Sequence, residues 1–306
     1  MLSSFSSTLI SYIIILAAIA FFTLLERKAL GYFQLRKGPN KVGIIGIPQP
    51  LADALKLFSK ELTIPSLANI SPFFIAPTIG LFLAIIIWSL YPSSANLTFY
   101  KFGVLVFLII SRLRVYTTLC AGWTSNSKYS LLGSLRGVAQ TISYEVRISL
   151  ILISCLLFHQ SLRINIIFIY NNIIICLLCP ILLYIWFTTT VAETNRTPFD
   201  FAEGERELVS GFNTEYSGGS FAIIFIAEYV NIIFISIITS VIFLISYEGS
   251  LINSIIIILQ SLIVAFIFLW LRATLPRIRY DRLIMLTWKS FLPMSLILLI
   301  FLPSII

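Results

Sequence analysis

The sequence predicts an all-α, polytopic membrane protein with about eight transmembrane helices plus one interfacial amphipathic helix, in a single transmembrane domain over residues 1–306. Three observations carry this. Apolar residues make up 58% of the chain and charged residues only 11%, whereas soluble domains carry about 25% charged residues. The apolar residues fall into runs near the ~20 residues that cross ~30 Å of hydrocarbon. The cations gather in alternate connections between those runs, as loops on one side of a bilayer do. A soluble globule is excluded.

The first run, residues 9–25, has only small polar residues before it and Glu26-Arg27-Lys28 after it. Lacking a basic start and a small-residue cleavage site, it reads as a first span and not as a removed signal. Further runs lie near 73–91, 102–121, 139–158, 173–191, 221–246, 251–271 and 284–302. Between the first two spans, residues 49–61 place Leu51, Leu55, Phe58 and Leu62 on one helical face and Asp53, Lys56 and Lys60 on another. The period is helical. The segment is too short to span, so it is expected to lie along the membrane surface.

Connections 26–72, 122–138, 192–220 and 272–283 hold most of the cations, whereas the others offer only Lys101 and Arg163. The cation-rich connections are therefore expected to face the negative compartment, with both termini on the opposite side. A net charge of +8 then reflects topology, and no nucleic-acid partner is needed to explain it.

The connection after the fifth run is acidic. Glu193, Asp200, Glu203, Glu205, Glu207 and Glu215, six of the thirteen carboxylates, fall within residues 192–216. Pro198, Gly204 and Gly211 fix or free the backbone among them. This reads as a shaped acidic pocket, the alternative being an ordinary solvated loop. Cys176-x-x-Cys179 has no second pair or histidine to complete a metal site. With Cys120 and Cys155 these are expected to be buried thiols. There is no GxGxxG or Walker sequence, so redox chemistry is expected to fall to a partner.

Charges also occur inside the runs. Arg112, Arg114, Glu145, Arg147 and Glu228 lie in spans, where each costs about 2.5–3.5 kcal/mol on insertion scales and normally faces a bundle interior or a wet cavity. Structural ion pairs or snorkelling arginines would be the plainer account. Taking residues 122–137 as the loop between spans three and four sets Arg114 eight residues before it and Glu145 eight after it. Equal depth predicts an Arg114–Glu145 pair.

Residue order adds a resemblance. Glu193-Thr-Asn-Arg-Thr-Pro-Phe-Asp200, followed by Glu203-Gly-Glu-x-Glu-Leu-Val-Ser-Gly-Phe-Asn-x-Glu-Tyr216, resembles the signature of the subunit 1 family of respiratory NADH:quinone oxidoreductase, complex I, which has mitochondrially encoded members. The likeness continues at Leu25-Glu-Arg-Lys28, Gln34-Leu-Arg-Lys-Gly-Pro-Asn40, Gly133-Ser-Leu-Arg-Gly-Val-Ala-Gln140, Ala227-Glu-Tyr229 and Arg272-Ala-Thr-Leu-Pro-Arg277. It covers essentially the whole chain.

The resemblance implies a subunit of the mitochondrial inner membrane, with termini on the intermembrane-space side and no complete active site of its own. Ubiquinone would be the substrate, in a tunnel lined by Arg27, Arg36, Asp53, Arg272 and Arg277. A proton path would run through Glu145, Glu193, Asp200, Glu203, Glu205, Glu207, Glu215 and Glu228. FMN and Fe–S clusters would belong to partners: the hydrophilic quinone-reducing module and other complex I subunits, including small membrane subunits leading to antiporter-like ones. Membrane lipids would surround it.

Arg112, Arg114, Arg147 and Arg206 depart from the family pattern and put the electrostatics of the path in doubt. Two other readings stand beside this one. The chain could anchor a related ferredoxin-linked hydrogenase, or be an independent secondary transporter, although the inverted repeats expected of the latter are not evident.

Overall fold

The computed structural model describes residues 2–92, 100–170, 175–202, 204, 210–244 and 250–305. Every regular element among them is helical: α1 (Leu2–Phe33), α2 (Gln49–Ser59), α3 (Ile70–Ile87), α4 (Gly103–Thr124), α5 (Lys128–His159) and α6 (Ile164–Tyr170) come first. They are followed by α7 (Ile175–Leu178), α8 (Pro180–Glu193), α9 (Gly218–Phe243), α10 (Ser250–Thr274), α11 (Tyr280–Leu286) and α12 (Leu292–Ile305). A π-helical turn, Thr287–Phe291, joins the last two into one rod. Among the described residues, seven helical stretches are long and apolar enough to cross a bilayer.

α9 is the hub, touching α1, α2, α3 and α10. Between Val230 and Phe243 it buries residues on every side. α5 is a second hub, against α4, α8 and α12. The outer helices turn Ile10, Ile13, Ile14, Leu262 and Phe301 outward, a surface that hydrocarbon chains solvate at no cost.

Three helix boundaries differ from the sequence expectation. α1 continues past residue 25 to Phe33. Its charged triad therefore lies on helix, with Glu26 turned inward at 4% exposure. Residues 173–191 do not form one span: α7 and α8 are divided at Cys179, just before Pro180. Proline offers no N–H and disfavours helical backbone in the residue before it. The 14 residues of α8 rise only ~21 Å, short of the ~30 Å crossing. They are covered by neighbours, Leu182, Ile185, Trp186 and Thr189 being fully buried.

The third difference is the expected loop 122–138, which shrinks to residues 125–127. Ser127 caps α5 by accepting the Ser130 N–H at 3.3 Å, in the usual manner of an N-cap serine. The glycines and serines that look like loop chemistry instead form a close-packed face. A Cβ on Gly133 would stand 2.8 Å from the backbone of Gly211, which itself holds φ at 57°. Neither side can yield. Gly133→Ala is expected to destabilise the packing of the acidic loop on α5 by about 1–3 kcal/mol, read as a lowered melting temperature at unchanged helix content. An unaltered melting curve would show that the contact is slack.

Candidate functional site

α2 lies beside α1 and α9 with none of its residues buried. Leu51, Leu55 and Phe58 are 67%, 72% and 60% exposed. An amphipathic helix that shows its apolar stripe outward suits the membrane boundary, where the stripe meets hydrocarbon or an amphiphile. Its polar face is pinned to the end of α1. Arg27 Nη1 donates to Asp53 Oδ2, and Gln49 Nε2 donates to Asp53 Oδ1 at 2.9 Å. The pair is half-exposed, so its net stabilisation is about 0–1 kcal/mol. Its effect is to position the helix.

Further inside stands Glu26. Its carboxylate pairs with Arg272 of α10 and lies 3.9 Å from Arg196 Nη1. Arg196 reaches on to Glu228 of α9, Nη2 to Oε2 at 3.9 Å, with its guanidinium 4.6 Å from the centre of the Tyr229 ring. One loop arginine thus joins two carboxylates from different helices. The acidic loop is fixed at a second point by Arg277, whose Nη2 donates to Asp200 Oδ2 at 2.9 Å.

Glu228 also lines a cavity of about 60 Å³, shared with Glu193, Arg114, Asn195 and Asn231. A water needs roughly 10–15 Å³ of such space, so several fit. Glu193 closes α8 and is 4% exposed. Arg114 Nη2 stands 3.6 Å from Glu193 Oε1 and donates to the Glu193 carbonyl at 3.2 Å. Glu145 Oε2 lies 3.9 Å from Arg112 Nε, and Glu145 and Glu193 are close enough for their charges to interact.

The expected Arg114–Glu145 pair is therefore replaced by Arg112–Glu145 and Arg114–Glu193. The short turn explains it. α5 begins at Lys128, so Glu145 stands ~26 Å along α5 from its start, while Arg114 stands only ~15 Å and Arg112 ~18 Å from the end of α4. The deeper arginine reaches the deeper acid. Arg147 pairs with no carboxylate among the described residues: it is 1% exposed, donates to the Ser143 carbonyl at 2.6 Å and lies 4.4 Å from the centre of the Tyr144 ring.

Of the remaining sequence candidates, Arg36 stays exposed with its Nε on Gln34 Oε1 at 2.9 Å, outside the network. Glu215 is half-buried and joins none of these pairs. Glu203, Glu205, Glu207 and Arg206 lie outside the described residues. Three residues of the site were not singled out by sequence. Glu26 read as an end-of-span charge, and Arg196 as one more loop cation. Gln140 is wholly buried on α5, and its Nε2 donates to the carbonyls of Ala192 at 2.8 Å and Phe199 at 2.7 Å. All three lie in stretches that carry the resemblance, and Gln140 adds the signal of an amide within a helical run.

Tyr216 ends the acidic loop. Its ring stacks on Phe73 with centroids 4.3 Å apart, and its hydroxyl donates to the carbonyls of Phe73 and Ala121, each at 3.3 Å. Burial pushes this phenol up to about 12, so it remains a neutral donor tying the loop to α3 and α4. Of the four cysteines, only Cys155 is fully buried and the other three are partly so, all as free thiols.

Residues 6–303 match the model of a family described as NADH dehydrogenase. A protein of Aedes aegypti named NADH-ubiquinone oxidoreductase chain 1 is 52% identical over 98% of this chain and 95% of its own length. The same-named protein of Heterololigo bleekeri is 51% identical over 99% of this chain and 97% of its own. That of Trichosurus vulpecula is 48% identical over 95% and 93%. With the match running almost from end to end, and with an all-helical fold of membrane-spanning length, the chain belongs to the NADH dehydrogenase family.

Proposed function

We propose that this chain is the membrane subunit of a mitochondrial, proton-translocating NADH:ubiquinone oxidoreductase that shapes the quinone tunnel and starts the proton path. The observation that carries the reading is a set of carboxylates, each beside an arginine, placed on successive elements of the bundle. It runs from Asp53 on the boundary helix, through Glu26 and Glu228, to Glu193 and Glu145 inside the bundle. The names of the relatives, all NADH-ubiquinone oxidoreductase chain 1, support a quinone as substrate. They weigh against the hydrogenase anchor.

A quinone headgroup needs an apolar path with few polar contacts, opening to lipid. The exposed apolar face of α2 and the ends of α1 and α10 supply such walls, with Arg27, Asp53 and Arg272 as the polar contacts. Reduction takes up two protons and changes local charge. Carboxylates sharing one low-dielectric region respond jointly, because each one's proton affinity depends on its neighbours' charge. The cavity between Glu228 and Glu193 gives water a place to bridge them. Asp200 of the acidic loop, held by Arg277 from beyond α10, sets the outer end. Glu203, Glu205, Glu207 and Glu215 extend the acid series on sequence grounds. FMN, Fe–S clusters and the remaining pumping machinery fall to the hydrophilic module and the other membrane subunits, with this chain docked between them in the inner membrane, termini toward the intermembrane space.

The test is Asp53→Asn. Losing the charge weakens the hold of Arg27 on α2 and is expected to raise the apparent KM for short-chain quinones severalfold in a fully assembled complex, with NADH oxidation by artificial acceptors unchanged. Wild-type quinone kinetics in that variant would remove α2 from the tunnel.

A further inference from the structure

The two cations that the sequence leaves on the other side of the membrane come together. Lys101 precedes α4 and Arg163 follows α5, at the end of the bundle away from the 125–127 turn. Both line one surface groove of about 510 Å³, whose other walls include Phe102, Ile153, Leu157 and Ser161. That volume lies within the roughly 300–1,000 Å³ of small-molecule sites. The turn between α5 and α6 is fixed in shape: Gln160 closes α5 with φ at 48°, and the Leu162 carbonyl accepts the Val104 N–H at 3.3 Å. The groove is thus bounded by tethered backbone on both sides.

We propose that this groove binds an anionic phospholipid, its phosphate between Lys101 and Arg163 and an acyl chain along Phe102, Ile153 and Leu157. The chemistry selects that occupant. Among the described residues no ion pair engages either cation, so the groove presents two positive charges. A soluble anion would gain nothing from the apolar wall, and a zwitterionic lipid little from the cations. Phe102 and Ile153 are 56% and 47% exposed, on the hydrocarbon side of the two charges. Gln160 and Ser161 of the tethered turn line the groove beside the two cations. α4 rises ~33 Å over its 22 residues, which sets Lys101 and Arg163 one hydrocarbon thickness from the opposite turn, at headgroup level.

The test uses the intact complex, reconstituted in phosphatidylcholine vesicles with a small fraction of photoactivatable phosphatidylglycerol. Labelling is expected on peptides containing residues 153–166 and is expected to fall about 30-fold in Lys101→Gln/Arg163→Gln, as two surface cations of ~1 kcal/mol each predict. A photoactivatable phosphatidylcholine should label these peptides far less. Equal labelling by both lipids, or undiminished labelling of the double variant, would overturn the site. Should the double variant fail to assemble, a photoreactive residue at position 157 in the otherwise native chain replaces it. Cross-linking there to phosphatidylglycerol supports the proposal, and cross-linking to a protein subunit or to phosphatidylcholine alone overturns it.

Discussion

Glu193→Gln is expected to lower quinone-reductase turnover by an order of magnitude or more in a complex that still assembles. Glutamine keeps the shape of the side chain and can still accept from Arg114, but it cannot bind or release a proton. The position is demanding because Glu193 faces the cavity with Glu228, interacts with Glu145 and closes α8. It lies between the other two acids inside the bundle, sharing a cavity with Glu228 and standing within charge range of Glu145. Asp53→Asn would alter KM, whereas this change should act on turnover at saturating quinone, and proton pumping should fall with it. Wild-type turnover and pumping in the Glu193→Gln complex would remove Glu193 from the path.

Glu26→Gln is expected to have the largest effect on assembly. A single buried carboxylate stands between two guanidiniums, Arg272 from α10 and Arg196 from the acidic loop. Removing its charge leaves Arg272 without its carboxylate and Arg196 with Glu228 alone, and breaking a buried pair in this way costs about 3–5 kcal/mol. A loss of that size is a large part of the stability of a typical domain. The expected result is a marked fall in the amount of assembled complex and a lower melting temperature of what remains. Removing Arg272 together with Glu26 should recover part of the loss, because a missing pair costs less than a broken one. Normal assembly of the Glu26→Gln complex would mean that water meets the two arginines instead.

The spans were legible because hydrocarbon imposes one demand, apolar length, and the sequence states it directly. The amphipathic helix was legible because its period places Leu51, Leu55 and Phe58 together on one face and Asp53 on another. Gly133, Ser134 and Gly137 misled because small residues serve two purposes. They loosen a loop or let helices touch, and only the neighbour decides which. Ion-pair partners were less legible still. Arg112 and Arg114 differ in depth by ~3 Å, and a shift of a few residues in a helix start is enough to exchange their acids. Glu26 was hidden by its setting, a charge next to Arg27 and Lys28 that turns inward while they do not.

α8 ends on the buried Glu193. A helix that stops inside a bundle carries a partial negative charge at its C-terminus, where the last carbonyls lack helical partners. In this chain those carbonyls are met by side chains: Gln140 donates to the Ala192 oxygen and Arg114 to the Glu193 oxygen. Arg114 therefore faces two negative groups at once, a carboxylate and a helix terminus. Protonating Glu193 would remove only the first. The guanidinium would still be held by the backbone, so the charge on Glu193 can come and go without setting its arginine adrift.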